Sequence, residues 1–357
     1  MEVIQSVDYP IHFQNTFQEL RELVLRSGYS KIFVLVDTNT ETHCLPMLQP
    51  ALEGLDYDLI EVPPGEENKN IDFCIGIWRM LSDFEADRNS LLVNLGGGVI
   101  TDMGGFAAAT FKRGIDFVQV PTTLLSQVDA SVGGKTGIDM DHIKNLIGTF
   151  TQPKAVFIDT QFLRTLDERQ LLSGFAEMLK HGLIFDAPYF EKLMHHRGEI
   201  LPELIHRSVE IKNEVVTQDP HEKGLRKILN FGHTIGHAVE TMSLNRDKDP
   251  LLHGEAIALG MICEAYLSNQ SNGLTTEELE RITGTIRSLY PDYALDKLPD
   301  DELLEVMKKD KKNRDQKIGF ALLNRIGSCD YDNYLPESAI LESLNYYRRL
   351  IGSTVHE

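Results

Sequence analysis

Leu91-Leu92-Val93-Asn94-Leu95 runs directly into Gly96-Gly97-Gly98-Val99-Ile100-Thr101-Asp102. A short apolar run that breaks on three glycines before a helical segment reads as a strand, a turn and a helix start. Missing side chains there let a pyrophosphate approach backbone N–H groups, and the helix dipole favours negative charge. Thr101 stands where the GxGxxG fingerprint requires its third glycine, so the match is incomplete and a plain tight turn is the competing reading.

Outward from this junction, the first half of the chain repeats one unit: a β-branched or apolar run, a turn, and a longer amphipathic segment. Lys31 to Val36, Leu59 to Val62, Leu91 to Leu95, Phe117 to Val120 and Ala155 to Ile158 read as buried strands. The alternation predicts a Rossmann-like α/β domain with a mainly parallel sheet, whose ligands sit at the carboxyl ends of the strands. Polar residues gather at those ends: Asp37 and Asn39 after the first strand, Thr122 and Thr123 after Val120-Pro121. Beyond Asp159 helical periodicity dominates, with one weak extended candidate at Ile318 to Leu323. The division expected is an α/β nucleotide-binding domain over residues 1–160 and a mostly α-helical domain over 161–357, with the active site in the cleft between them.

A chain of 357 residues is long enough for about two domains. Its net charge of −19 would repel a nucleic-acid backbone, so an anionic ligand requires basic residues that converge locally. No apolar run reaches the roughly 18 residues of a spanning helix. The segment MEVIQSVDYP has neither the charge nor the apolar stretch of a leader, and a cytoplasmic location is expected. Cys44, Cys74, Cys263 and Cys329 show no CxxC spacing, consistent with reduced packing thiols. Gly133-Gly134-Lys135-Thr136 imitates the tail of an ATP-binding loop. That loop needs a glycine where Asp129 stands, so an ATPase reading is weak.

Three segments supply ligands for a divalent metal: Glu177, the pair His233 and His237, and His253. Two histidines four apart share a helical face, and a carboxylate with two imidazoles leaves a position open for substrate. Spacing alone nominates both His233 and His237. The glycines flanking these histidines permit close approach. His142, His181, His195, His196, His206 and His221 lack such settings and read as surface or packing residues. Glu240 and Glu255 read as supporting or solvated groups. Lys112, Arg113, Lys135, Lys144, Lys180, Lys212, Arg226 and Lys317 are the candidate cations. Lys180 falls three residues after Glu177, which puts an ammonium beside a metal ligand on one helical face.

VDTNT (36–40), PPGEENK (63–69), GGGVITDMGGFAAATFKRG (96–114), QVPTTLLSQVDASVGGKTGID (119–139), KNLIGTF (144–150), GFAEMLKHGLI (174–184), LNFGHTIGHAVE (229–240) and LHGEAIALGM (252–261) follow one another in the order seen in 3-dehydroquinate synthases, a sugar-phosphate cyclase family that the chain resembles from about Val34 to Gly327. The resemblance implies conversion of 3-deoxy-D-arabino-heptulosonate 7-phosphate to 3-dehydroquinate and phosphate in the shikimate pathway of aromatic amino-acid biosynthesis. NAD oxidises the C5 alcohol transiently, phosphate leaves by β-elimination, the ketone is reduced again, and an intramolecular aldol step closes the ring.

By the same resemblance Glu177, His233 and His253 hold one divalent metal, zinc or cobalt, and His237 moves to a phosphate-side or proton-handling role. Arg113, Lys135, Asn145, Asn230 and His237 fall to the phosphate end. Lys212, Arg226 and Lys317 fall to the carboxylate end, and Asp129 and Lys180 to the sugar hydroxyls. The register near Lys317 is open, with Lys311 or Lys312 as substitutes. The NAD side comprises Asp37, Asn39, Glu66, Glu67, Asn68, Lys69, Gly98, Val99, Ile100, Thr101, Asp102, Thr122, Thr123, Lys135, Lys144, Phe162, Leu163, Arg164 and Thr165. A homodimer is implied, with no nucleic-acid or membrane partner. The alternatives are another sugar-phosphate cyclase, a metal-dependent NAD polyol dehydrogenase, or a non-catalytic NAD-binding module.

Overall fold

A computed structural model describes residues 1–13, 15–140, 143–195, 200–308 and 317–352; His142, His196, Lys311 and Lys312 lie outside the described residues. The strands are β1 (Ile4–Gln5), β2 (Pro10–His12), β3 (Ile32–Asp37), β4 (Asp58–Val62), β5 (Leu91–Gly96), β6 (Asp116–Pro121), β7 (Lys135–Met140), β8 (Ile143–Phe150), β9 (Val156–Phe157), β10 (Ile318–Arg325) and β11 (Ser328–Leu335). The helices are α1 (Thr16–Ser27), α2 (Thr38–His43), α3 (Leu45–Leu52), α4 (Ile71–Asp83), α5 (Gly98–Thr110), α6 (Glu168–Phe185), α7 (Ala187–His195), α8 (Pro202–Gln218), α9 (His233–Arg246), α10 (His253–Ser271), α11 (Thr276–Leu289), α12 (Asp300–Lys308) and α13 (Glu337–Gly352). The chain divides into two compact units: Met1–Leu171 with Leu201–Pro220, and Leu172–Ile200 with His221–Glu357.

The first unit is built on a 7-stranded sheet in the order β1-β2-β9-β6-β5-β3-β4. All its pairings are parallel except β1 with β2. Each apolar run identified in the sequence lies in one of these strands. The runs are continuous rather than alternating because both faces are covered. Along β3, Val34 and Val36 pack with α1 and α3, whereas Phe33 and Leu35 pack with α4 and α5. The chain leaves β3 for β4 on one side and returns to β5 on the other. The topological switch point therefore falls between β3 and β5, where Asp37 and the glycine turn end their strands.

Thr101 is accommodated in place of a third glycine because the close helix–strand approach occurs one turn later. A Cβ on Gly104 would meet Asn94 and Leu35, and one on Gly105 would meet Thr136. The sequence pattern does not reveal the β7–β8 hairpin. Gly137 faces Gly148 across it, and β8 carries Lys144, Asn145 and Gly148 instead of an apolar alternation.

The second unit is mostly helical, as expected, but its extended segment is a hairpin rather than a single run. β10 pairs antiparallel with β11, which Asp330, Asp332 and Asn333 make polar and hard to read as a strand. α9 and α10 run antiparallel in close contact. A Cβ on Gly260 would overlap the Gly232 carbonyl, and one on Gly236 would press on Ile257 and the Ala256 carbonyl. The start of α10 meets α6 in the same way, since a Cβ on Gly254 would overlap the backbone of Ser173. Backbone cannot swing aside as a side-chain tip can. Gly260→Ala should therefore destabilise the protein by about 1–3 kcal/mol, read as a lower midpoint in denaturant unfolding. An unchanged midpoint would show that the two helices tolerate separation.

Candidate active site

In the second unit, Ser173 precedes Glu177 by one turn of α6, and its Oγ accepts the Gly254 N–H at 3.0 Å. This contact, together with the glycine packing of α9 on α10, gathers Glu177, His233 and His253. Glu177 is fully buried. Its Oε1 stands 3.5 Å from His233 Nε2 and 3.4 Å from His253 Nε2. The other nitrogen of each ring is already engaged. His233 Nδ1 lies 3.0 Å from the Phe231 carbonyl, and His253 Nδ1 lies 3.3 Å from Glu240 Oε2. Each Nδ1 therefore keeps its proton, and with a metal bound each Nε2 would present a lone pair to it beside the carboxylate oxygen.

Two imidazole nitrogens and a carboxylate oxygen so close in a buried site call for shared positive charge, which a proton or a metal cation supplies. The separations match the edge of about 3.3 Å that tetrahedral zinc with ligand bonds near 2.0–2.1 Å would impose. These residues thus fit a divalent metal held by one carboxylate and two imidazoles. The titration behaviour points the same way. Burial, then the Lys180 ammonium and the imidazoles of His237 and His253, drives His233 well below its ordinary value. Burial alone would also lower His253, but the carboxylates of Glu240 and Glu177 overcome it and hold it up at about 9, so that without a metal the ring carries a second proton on Nε2, in the place a bound cation would take.

His237 lies beside the three donors, its ring 5.0 Å from His233 and 5.7 Å from His253. The imidazoles of His233, His237 and His253 each offer a ligand atom within 4.8 Å of the others. Buried Lys180 contacts Glu177 directly through Oε2, the oxygen turned away from the histidines. Glu240, on the same helix as His233, is the group that aims His253. Arg226 is buried in the 3-10 turn Leu225–Asn230, and Asn230 Nδ2 donates to Glu222 at 2.7 Å. Lys317 is exposed at the start of the β10 hairpin.

In the first unit, Lys69 is buried and its ammonium reaches Asp102 Oδ2 at 2.6 Å and Asn145 Oδ1 at 2.7 Å. Lys144 pairs with Glu66 at 2.9 Å. Asp139, which drew no notice in the sequence, accepts the Asn145 N–H at 2.7 Å and holds Asn145 at its left-handed φ of 51°. Burial raises Asp102 above the usual carboxylate range, and the Lys69 ammonium opposes that shift. Gly98, Val99, Ile100, Thr101 and Asp102 form the first turn of α5.

Buried side chains link this turn to its surroundings. Asn94 donates to Gln119 at 3.0 Å, Gln119 donates to the Thr101 carbonyl at 2.9 Å, and Thr101 Oγ1 lies 3.2 Å from Ser126 Oγ. Ser126 opens the π-helical turn Ser126–Ala130 that carries Asp129. Lys212 of α8 grips Asp129 through both its carbonyl and its carboxylate, each at 2.6 Å.

The remaining candidates on the nucleotide side are dispersed. Asp37 caps α2, accepting the Thr40 N–H at 2.8 Å, and Asn39 is exposed on that helix. Glu66, Glu67 and Asn68 form a single 3-10 turn. The Thr122 N–H donates to the Gly96 carbonyl at 3.0 Å, and Thr123 Oγ1 accepts the Ser126 N–H at 3.2 Å. The Phe162 ring is buried in the core against Phe17, so only its backbone is available to a ligand. Leu163, Arg164 and Thr165 complete that turn, and Arg113 and Lys135 are exposed.

The architecture belongs to a class of two-unit folds represented among solved structures. A 2-epi-5-epi-valiolone synthase from Streptomyces hygroscopicus, solved with NAD+ and Zn2+ bound, superposes with a TM-score of 0.84 at 27% identity over 98% of this chain and 99% of that one. A 2-deoxy-scyllo-inosose synthase gives 0.85 at 24% identity, over 97% of this chain and 99% of that one. The glycerol dehydrogenase of Schizosaccharomyces pombe shares the fold at 0.68 and 15% identity, over 100% of this chain and 94% of that one.

Sequence narrows the class. Residues 59–173 match the 3-dehydroquinate synthase N-terminal family, and residues 174–313 match its C-terminal counterpart. A 3-dehydroquinate synthase of Parabacteroides distasonis is 44% identical over 94% of this chain and 96% of the relative, and one of Thermoanaerobacter pseudethanolicus is 40% identical over 96% and 98%. The chain belongs to the 3-dehydroquinate synthase family.

The role of Glu240 is directly testable. Glu240→Gln should weaken binding of Zn2+ or Co2+ by about 10- to 100-fold, measured by competition with a chromophoric chelator. Unaltered affinity would mean that His253 is oriented by something else.

Proposed function

We propose that the chain is an NAD- and divalent-metal-dependent lyase that converts 3-deoxy-D-arabino-heptulosonate 7-phosphate to 3-dehydroquinate and phosphate. Family membership over both halves supports this reading. The observation that carries it is the buried convergence of Glu177 Oε1 with the Nε2 atoms of His233 and His253. A divalent metal held there would act as a Lewis acid toward substrate oxygens that gain negative charge. Bound NAD would supply the redox chemistry without net consumption.

The chain's own residues bind, orient and handle protons. Lys180, buried beside Glu177, places an ammonium next to the metal ligands and suits a substrate hydroxyl or its developing oxyanion. His237, one turn beyond His233 and partly exposed, is a titratable imidazole for the phosphate side, where it can hold or pass a proton as the leaving group departs. Lys212 fixes Asp129 in one orientation, ready for a sugar hydroxyl. Arg113, Lys135, Asn145 and Asn230 serve the phosphate, and Lys212, Arg226 and Lys317 the carboxylate.

The start of α5 offers backbone N–H groups to the NAD pyrophosphate. Lys69 holds Asp102 on that turn, and the Lys144–Glu66 pair lies beside it. Asp37 at the end of β3 suits a ribose hydroxyl. Among the described residues no helix is long and apolar enough to cross a membrane. A cytoplasmic homodimer is part of this proposal.

A related cyclase acting on a sugar phosphate without a carboxylate is the second reading, favoured by the likeness to the valiolone and inosose synthases. The family match over both halves of the chain weighs against it, and Arg226, assigned above to the carboxylate end, is the residue that discriminates the two.

Incubation with the heptulosonate phosphate and catalytic NAD should yield 3-dehydroquinate and phosphate without net NADH. Chelation should abolish turnover, and Zn2+ or Co2+ should restore it. Accumulating NADH, or turnover indifferent to chelation, would refute the assignment. Arg226→Ala should lower kcat/KM for the sugar acid by about 100-fold or more, with little change toward a substrate lacking the carboxylate. Equal losses on both would remove Arg226 from the carboxylate side.

A further inference from the structure

α9 begins without a cap of its own. Its N-cap is Gly232, at φ 80°, and no side chain of that residue can serve the free N–H groups of the first turn. Glu264 of α10 serves them instead. Its carboxylate is fully buried and accepts the Gly232 N–H at 2.7 Å through Oε2 and the Ile235 N–H at 3.1 Å through Oε1. Both oxygens thus embrace the peptide units on either side of His233. The positive end of the α9 dipole offsets part of the cost of burying the charge.

The arrangement is reciprocal. α9 carries His233 and, two turns on, Glu240, which engages His253 Nδ1. α10 carries His253 and, three turns on, Glu264, which engages the backbone that presents His233. Each helix contributes one imidazole and one carboxylate that steadies the other helix. Gly260 against the Gly232 carbonyl removes the bulk that would hold them apart.

We infer that Glu264 is a positioning residue for the metal centre, fixing the backbone of Gly232–Ile235 so that His233 Nε2 meets the metal at the separation set by Glu177 and His253. The inference rests on the metal-centre reading above. A glutamine is nearly isosteric, but it loses the charge and turns an NH2 toward one of the two peptide donors. Glu264→Gln should therefore raise the dissociation constant for Zn2+ or Co2+ by about 10- to 100-fold, and change the intensity of the visible d–d bands of the Co2+-loaded protein.

Ser268→Ala is the control. Ser268 lies one turn further along α10 and accepts the Leu323 N–H at 2.9 Å. Its loss should lower the unfolding temperature and leave metal affinity within about twofold of the parent, well inside the 10- to 100-fold range expected of a group that orients a ligand. A Glu264→Gln protein that is less stable yet binds metal as tightly as the parent would overturn the inference. Equal loss of affinity in both variants would also overturn it. Should Glu264→Gln not fold, Glu264→Asp, which keeps the charge but not the reach, is read by the same criteria. A parent protein that takes up no stoichiometric metal would refute the metal centre itself and this inference with it, whereas full metal affinity in parent and variant alike refutes the inference alone.

Discussion

One carboxylate oxygen and two imidazole nitrogens, held together on three helices, govern the second unit. Glu177 Oε1 and two imidazole nitrogens face one another at 3.4 and 3.5 Å, and the far side of each ring is committed to an acceptor. Positive charge joins a carboxylate and two imidazoles in that arrangement, supplied by a proton on His253 in the metal-free protein and by a divalent cation in the proposed metal centre. Bringing them so close requires three helix backbones to approach beyond what side chains permit. Gly232, Gly236, Gly254 and Gly260 stand at those approaches, and each would drive a Cβ into backbone or a core side chain. The glycines therefore belong to the proposed metal centre as much as the histidines they accompany.

The first unit meets a different demand. A parallel sheet with both faces covered leaves polar groups only at its strand ends, and the switch point between β3 and β5 concentrates them. Thr101, Gln119, Asn94 and Ser126 form a polar seam through an otherwise apolar interior, connecting the glycine turn to the segment that bears Asp129. Lys69 and Lys212 then fix acidic side chains in single orientations from opposite parts of the sequence. Such buried hydrogen-bonded networks exchange some stability for rigidity, which suits the proposed NAD site.

What the sequence disclosed follows from which interactions are local. The buried strands, Leu91–Leu95 above all, were legible because continuous β-branched runs have few other homes. Glu177 with Lys180, and His233 with His237, were legible because helical spacing is a local property. The β7–β8 hairpin and β11 were hidden because their polar residues alternate too weakly to register as extended, whereas β10 showed only as the weak candidate at Ile318 to Leu323. Glu240 could be read as a supporting group but not as the partner of His253, since that contact exists only when α9 lies antiparallel on α10. Glu264 gave no motif at all. Its one signal is that it follows His253 by three helical turns on the same face of α10. At Phe162 a position-by-position reading leaves the atom open: its ring belongs to the core, and only its backbone remains for a ligand.

The central claim is that one cation sits among Glu177, His233 and His253, with His237 nearby but not bound. Anomalous diffraction from crystals of the Co2+-loaded protein, collected on both sides of the cobalt edge, tests it most directly. A single strong peak within bonding distance of Glu177 Oε1 and of the Nε2 atoms of His233 and His253 is expected. A peak ligated by His237 in place of His253, or cobalt found only at surface carboxylates, would contradict it.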